Sequence, residues 1–156
     1  MIDMQIRIAE TQDLPEMLTL FRDTILHVNL GHYTPAQVKV WSEAANNLDR
    51  WAEKISSQHV LVAEKDNCML GFGSLRNDYI DLLYINKNYQ GKGVASMIYE
   101  ILENKARQEG MQALATDASF TAKHFFEKKG FIFVATRSYV INGVEISNCR
   151  MVKSLH

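Results

Sequence analysis

Cysteine, proline and net charge are all scarce in this chain, and each scarcity removes a class of function. There are only two cysteines, Cys68 and Cys149, far apart in sequence, with neither the count of a disulfide framework nor the spacing of metal ligands, so reduced thiols are expected. Five histidines include no His-x-x-x-His pair or comparable cluster, and no metal is expected. With only two prolines, no internal repeat and no low-complexity tract, no hinge or linker stands out. Lys and Arg number 17 against 18 Asp and Glu, a formal charge of −1, so no global field favours nucleic acid or an anionic membrane. No apolar run approaches the roughly 20 residues that span a bilayer. The start, Met1 to Gln5, lacks a basic segment followed by an apolar one, so a soluble, cytoplasmic protein is expected.

What is present is a packing composition. Apolar residues make up 47% and charged residues 22% of 156 positions, enough for one domain spanning 1–156 with helices on a sheet. Gln5 to Ala9 alternates like a strand. Asp13 and Pro15 then suit a helix start, with Leu14, Met17, Leu18, Phe21, Ile25 and Val28 on one stripe. Thr34-Pro35 opens a second helix through Val38 and Trp41, with Asn46-Asn47 as its stop and a short helical turn at Trp51 to Ile55. Apolar runs at His59 to Glu64 and Met69 to Leu75 form a hairpin, and Tyr79 to Ile85 a strand beside it. Gly93 to Glu109 is the longest helix, closed by Gly110. Ala113 to Ala118 is a strand and Thr121 to Lys129 a helix closed by Gly130. Phe131 to Val140 and Val144 to Val152 pair across Asn142-Gly143.

The informative segment joins the strand Tyr79 to Ile85, the loop residues Gln90-Gly91-Lys92-Gly93-Val94-Ala95 and the start of the longest helix. Glycines let successive N–H groups turn toward one point, and a helix N-terminus adds free donors and a positive dipole end, an arrangement suited to a pyrophosphate. The plainer alternative is that Gly91 and Gly93 only permit a tight strand-to-helix turn. No Gly-Lys-Ser/Thr closes the loop and the spacing is not Gly-x-Gly-x-x-Gly, so nucleoside triphosphates and dinucleotides fit poorly.

Gln90 to Ala95 resembles the Gln/Arg-x-x-Gly-x-Gly/Ala signature of the GNAT superfamily of N-acetyltransferases. Ser119 to Phe131 resembles that family's Asn-x-x-Ala-x-x-x-Tyr-Glu-Lys-x-Gly-Phe segment through Ala122, Phe126, Gly130 and Phe131. Thr116-Asp117-Ala118-Ser119 and the tail from Asn148 to Lys153 further resemble its YafP-like bacterial branch. The resemblance implies an α/β fold: a mixed, mostly antiparallel sheet flanked by helices on both faces, with the parallel strands Tyr79–Ile85 and Ala113–Ala118 splayed to admit acetyl-CoA. It further implies that Leu83 and Ile85 lend backbone groups to the pantetheine arm, that Gln90, Gly91, Lys92, Gly93, Val94, Ala95 and Ser96 hold the phosphates, and that Ser119 contacts the cofactor. The family's proton-donating Tyr aligns with Phe126, which the resemblance also places at the cofactor but which has no proton to give. Water, Ser119, or a tyrosine such as Tyr139 or Tyr84 must then serve, or the thiolate leaves unassisted.

Acetyl transfer to an amine needs a route for the amine's proton and a donor for the developing oxyanion. Asp81, mid-strand among apolar residues, is the candidate base, on the expectation that partial burial raises its pKa; the alternative is a solvated or structurally paired acid. His27, His32 and Tyr33 fall where the family binds its acceptor, although such residues more often cap or pack a helix end. Trp41 and Trp51 suit satellite core or an acceptor wall, and Cys149 suits core packing, since nothing activates it. The expected partner is a small-molecule primary amine, with a homodimer possible. A non-catalytic acyl-CoA sensor, transfer of another acyl group, or a protein amine as acceptor are the rival readings.

Overall fold

The computed structural model describes residues 3–156; Met1 and Ile2, part of the Met1 to Gln5 segment considered above, lie outside the described residues. Seven strands form one sheet in the order β1-β2-β3-β4-β5-β7-β6. They are β1 (Gln5–Ile8), β2 (His59–Lys65), β3 (Cys68–Arg76), β4 (Tyr79–Ile85), β5 (Ala113–Ala118), β6 (Ile132–Ile141) and β7 (Val144–Ser154). Helices α1 (Leu14–His27), α2 (Pro35–Ser42) and α3 (Leu48–Ser57) cover one face; α4 (Val94–Gln108) and α5 (Lys123–Lys128) cover the other. All pairings are antiparallel except β4 with β5. The mixed sheet with helices on both faces is the architecture the sequence implies.

Local chemistry explains most element boundaries. Thr34 and Gln37 exchange hydrogen bonds at the start of α2: the Gln37 N–H donates to Thr34 Oγ1 at 3.1 Å, and the Thr34 N–H to Gln37 Oε1 at 2.9 Å. Asn47 Oδ1 accepts from the Arg50 N–H at 3.2 Å and starts α3, which runs longer than the short turn expected from sequence. At the other end of the chain, Asn142 and Gly143 take φ of 48° and 80°, turning β6 into β7. The expected cap at Asp13 is corrected. Its carboxylate points backward, accepting from the Glu10 N–H at 2.7 Å and from both Arg7 Nη atoms at 2.8 and 2.7 Å, so it ties β1 to the turn before α1 instead of capping the helix.

The apolar stripe of α1 packs Met17, Leu18, Phe21 and Ile25 against Val62, Phe72 and Leu82, and Trp51 of α3 joins the same cluster. On the opposite face Val94, Ile98, Leu102 and Ala106 of α4 pack on Leu61, Leu70, Leu75 and Ile80. Burying side chains of this size contributes about 1.5–3 kcal/mol each, which makes α4 a rigid platform.

One irregularity governs the centre of the sheet. Ser74 pairs with Leu82 but Leu75 pairs with Ile80, so Asp81 is an extra residue in β4 with no partner on β3. Strict alternation would put Ile80, Leu82 and Tyr84 on one face. Instead Ile80 joins the α4 side with Ile85, while Leu82 and Tyr84 join the α1 side. Beyond this bulge β4 leaves β5: the two strands pair only at Tyr79 with Ala115 and Ile80 with Thr116. Below it they are clamped, since Asp117 accepts from the Tyr79 hydroxyl at 2.7 Å and from Arg150 Nε and Nη2 at 2.9 and 3.1 Å.

Gly73 lets α4 approach β3 closely. A Cβ there would lie 2.7 Å from Ile98 Cγ2 and 3.2 Å from the Leu82 carbonyl oxygen, neither of which is a flexible side-chain end. Gly73→Ala should therefore cost about 1–3 kcal/mol through overpacking, read as a lower midpoint in urea with an unchanged m-value; an unshifted midpoint would show that the helix yields freely.

Candidate functional site

The glycine loop is built around β4's end. Asn86 accepts from the Asn88 N–H at 2.9 Å and donates through Nδ2 to the Met69 carbonyl at 3.1 Å, fixing the turn Lys87–Tyr89. Gln90 Nε2 then folds back to the Ile85 carbonyl at 2.8 Å. Gly91 and Gly93 have φ of 69° and 86°, and a Cβ at either would meet open space, so they are glycine for backbone conformation and not for packing. Gly93 starts α4 without a side-chain cap, which leaves the first N–H groups of that helix facing outward.

These residues border a cavity of about 360 Å³. It is lined by Gly91, Gly93, Val94, Ala95 and Ser96 on the loop and helix, Leu83 and Ile85 on β4, Ser119, Ala122 and Phe125 beyond β5, and Thr24 and Asn29 at the end of α1. Asn86 donates to the Leu70 carbonyl, and the alternation of an antiparallel ladder then turns the backbone groups of Leu83 and Ile85 toward the gap left by β5. Uncapped amides at one end and an apolar, amide-edged cleft at the other fit a long ligand with a phosphate group and a flexible arm.

A second cavity of about 820 Å³ opens on the opposite side of the splay. Phe21, Tyr33, Trp41, Tyr84 and Tyr139 supply aromatic walls; Asp81, Lys54, Arg50, Asp117 and Arg137 supply charge. The two cavities share Leu83, Tyr84, Ser119 and Ala122. Ser119 Oγ accepts from the Ala122 N–H at 3.0 Å, so its own hydroxyl proton remains free to be donated at the junction.

Of the residues expected at the cofactor, Leu83, Ile85, Gln90, Gly91, Gly93, Val94, Ala95, Ser96 and Ser119 line the first cavity; Lys92 and Phe126 do not. Lys92 is exposed. Phe126 is 3% exposed, packed edge-on to Tyr99, Phe125 and Phe131, and touches only the second cavity. Ile85's carbonyl is already committed, accepting from Gln90 and from the Thr24 hydroxyl at 2.8 Å, so Ile85 keeps only its N–H for the gap while Leu83 keeps both its N–H and its carbonyl. Thr24 and Asn29 were missed by sequence reasoning. Their only signal was a polar residue among the buried positions of the α1 stripe and its continuation.

Asp81, Tyr84 and Tyr139 all line the second cavity, and Tyr84 also lines the first. The expected upward shift of Asp81 is corrected. Burial works to raise its pKa, but hydrogen bonds from Lys54 Nζ at 2.5 Å and Gln58 Nε2 at 2.9 Å outweigh it and hold the carboxyl below its ordinary range. Gln58 is itself fixed by the Ser74 hydroxyl at 2.7 Å. Burial pushes Tyr84 well above the usual phenol value, with the nearby Tyr139 and Asp81 adding to it, so Tyr84 stays protonated. Burial likewise raises Tyr139, with Asp117 contributing.

Among the expected acceptor residues, Tyr33 lines the second cavity, but its hydroxyl donates to the Ser147 carbonyl at 2.9 Å and accepts from the Phe120 N–H at 2.9 Å. It braces the wall. His27 and His32 are exposed and line neither cavity; they contact the Asp23 carbonyl and Thr121 Oγ1. Trp51 is core, donating to the Ala44 carbonyl at 3.0 Å while edging the second cavity. Cys149 is 2% exposed in the α4-side cluster, and burial raises its thiol pKa. Among the described residues no group of three or more His, Cys, Asp or Glu is placed to hold a metal, and no helix is long and apolar enough to cross a membrane.

The model of the acetyltransferase (GNAT) domain matches residues 29–155. The uncharacterized N-acetyltransferase YafP of Escherichia coli (strain K12) is 32% identical over 151 residues, 97% of this chain and 96% of that protein. A crystal structure of a GCN5-related N-acetyltransferase from Rhodopseudomonas palustris superposes with a TM-score of 0.95 at 31% identity, covering 99% of this chain and 98% of that one. PaiA N-acetyltransferase from Thermoplasma acidophilum, solved in complex with coenzyme A, shares the fold with a TM-score of 0.78 at 17% identity, covering 98% of this chain and 99% of that one.

Because the folded-state pKa of Asp81 lies below its ordinary value of 3.8, the Lys54 pair contributes fully above about pH 4 and is lost as pH falls through the lower folded value. Asp81→Asn should thus lower the melting temperature at pH 7, with the deficit against wild type shrinking below about pH 4. A deficit that stays constant down to pH 2 would show that the pair is not the source.

Proposed function

From the chain's membership of the acetyltransferase (GNAT) family, we propose that it transfers an acetyl group from acetyl-CoA to the primary amine of a small-molecule acceptor, by direct attack with both substrates bound. The observation that carries this reading is the meeting of two cavities at Leu83, Tyr84, Ser119 and Ala122, one ending at uncapped loop amides and the other lined by aromatic and charged side chains. Acetyl-CoA, bound along the first cavity, supplies an activated thioester whose C–S bond breaks as the amine's C–N bond forms, CoA leaving as the thiol with a proton the amine gives up.

The chain's residues divide that task. The N–H groups from Gly91 to Ser96 hold the pyrophosphate without recruiting a side-chain cation, and Lys92 stands outside as a long-range charge. Leu83, with an N–H facing the gap, is the donor for a developing oxyanion. Tyr84, kept protonated and bordering both cavities, gives the proton that Phe126 lacks; Ser119 at the junction and Tyr139 on the acceptor side are the alternatives. Asp81 is ionised at neutral pH and weakly basic, so it accepts the amine's proton only through water while orienting the nitrogen. Cys149, buried away from both cavities with a raised pKa, offers no acyl-enzyme route, which favours direct attack.

Two experiments test this. Isothermal titration of acetyl-CoA and CoA should give micromolar-range binding that Gly93→Asp abolishes by placing a carboxylate at the loop. No binding to wild type would overturn the proposal, and binding without acceptor-dependent thiol release across amines would favour a sensor instead. With an acceptor identified, Tyr84→Phe should lower kcat by about 100-fold with little change in KM, and Asp81→Asn by about tenfold. If Tyr139→Phe is the deeper loss, the proton donor is Tyr139.

A further inference from the structure

The charges of the acceptor cavity do not balance. Three cations, Arg50, Lys54 and Arg137, face two carboxylates, Asp81 and Asp117. Both carboxylates are already occupied: Lys54 lies 2.5 Å from Asp81, and Arg150, directly across the β5–β7 ladder from Asp117, binds it through two nitrogens. Among the described residues no carboxylate lies within ion-pairing distance of Arg50 or Arg137. A cationic acceptor body would therefore meet surplus positive charge, and an anionic one would meet unpaired guanidinium.

Arg137 does not stand alone. It lies directly across the β6–β7 ladder from Asn148, which puts the two side chains next to each other on one face of the hairpin. Asn148 also lines the cavity, and its Oδ1 is buried with no hydrogen-bond partner. An unpaired buried carbonyl oxygen is a costly condition in a folded wall. Oδ1 is an acceptor held in the wall and cannot itself meet an anion, so the Nδ2 end of the carboxamide is the donor left for the cavity, and beside a guanidinium it completes a two-residue cradle for an oxyanion.

We infer that the acceptor is a primary amine that also carries an anionic group, a carboxylate or a phosphate, bound by Arg137 and Asn148. This rests on the acetyl-transfer reading and adds the class of acceptor. The anion sits at the β6–β7 wall, the amine points to the junction at Tyr84 and Ser119, and the aromatic walls contact the spacer between. Two anchored ends orient the nucleophile, and the surplus cations discriminate against polyamines.

The test uses matched probes with the whole protein: 4-aminobutyrate against butylamine, 4-(aminomethyl)benzoate against benzylamine, 2-aminoethyl phosphate against ethanolamine, and spermidine as a cationic control. Thiol release with saturating acetyl-CoA gives kcat/KM, and the melting-temperature rise in the presence of CoA gives binding without turnover. Anionic members should exceed their neutral partners by about tenfold or more, the larger ratio telling carboxylate from phosphate, with spermidine poorest. Arg137→Ala should collapse that ratio through KM, and Arg137→Lys should restore part of it; Arg137 is exposed, and the melting temperature of the ligand-free variants monitors folding. Equal use of neutral and anionic members, a ratio unmoved by Arg137→Ala, or no response to any probe would overturn the inference. Acetyl-CoA titration separates the two failures: bound acetyl-CoA without discrimination sinks the acceptor class alone, whereas absent acetyl-CoA binding sinks the transfer reading.

Discussion

The extra residue in β4 is the constraint on which the rest depends. A sheet gains stability from every ladder hydrogen bond, so two adjacent parallel strands separate only when something prevents their continued pairing. Asp81 does so by inserting into the strand without a partner on β3, which reverses the facing of the residues on either side and turns β4 away from β5 after two paired positions. The divergence is held at both ends. The clamp of Tyr79, Asp117 and Arg150 closes it below, while Thr24 and Gln90 converge on the Ile85 carbonyl above. Neither strand can drift back, because α4 on one face and α1 on the other are packed into separate apolar clusters.

The same bulge assigns the two cavities their different chemistry. On the α4 side the gap is bounded by backbone, with amides at the loop and an apolar floor, suited to a ligand recognised by its phosphates and its length. On the α1 side it is bounded by side chains from helices α1, α2 and α3 and from strands β4 to β7, suited to selecting one acceptor among many. Asp81 contributes to this separation electrostatically as well. Held ionised by Lys54 and Gln58, it supplies the acceptor side with a fixed negative charge whose partner is already chosen, so it shapes the field more than it binds.

Much of this was legible from local signals. Gly91 and Gly93 need positive φ, Thr34 and Gln37 form a capping box three residues apart, and Asn142-Gly143 makes a tight hairpin turn; each is chemistry complete within a few residues. The parts that were not legible depend on distant partners. Asp81 was expected to gain a raised pKa from burial, but its ion pair comes from Lys54 on α3, and the bulge that aims it is a matter of register with β3. Asp13 was expected to cap α1, but Arg7 on β1 draws it backward. His27 and His32 lie near the right end of α1 yet are exposed and line neither cavity, a placement that spacing alone could not decide. Asn148 carried no sign in sequence that its carboxamide oxygen lacks a partner.

Splaying has a further consequence for the sheet as a whole. A seven-stranded open sheet has two edges, here β1 and β6, where unpaired N–H and C=O groups invite other chains. This one has a third, running along β4 from Leu83 to Ile85 in the middle of the molecule. An internal edge differs from an outer one in having β5 on the same sheet beside it and a packed helix on each face. The fold can therefore hold the backbone groups of Leu83 and the N–H of Ile85 toward a small ligand in the interior, where an ordinary edge strand would offer them to another chain.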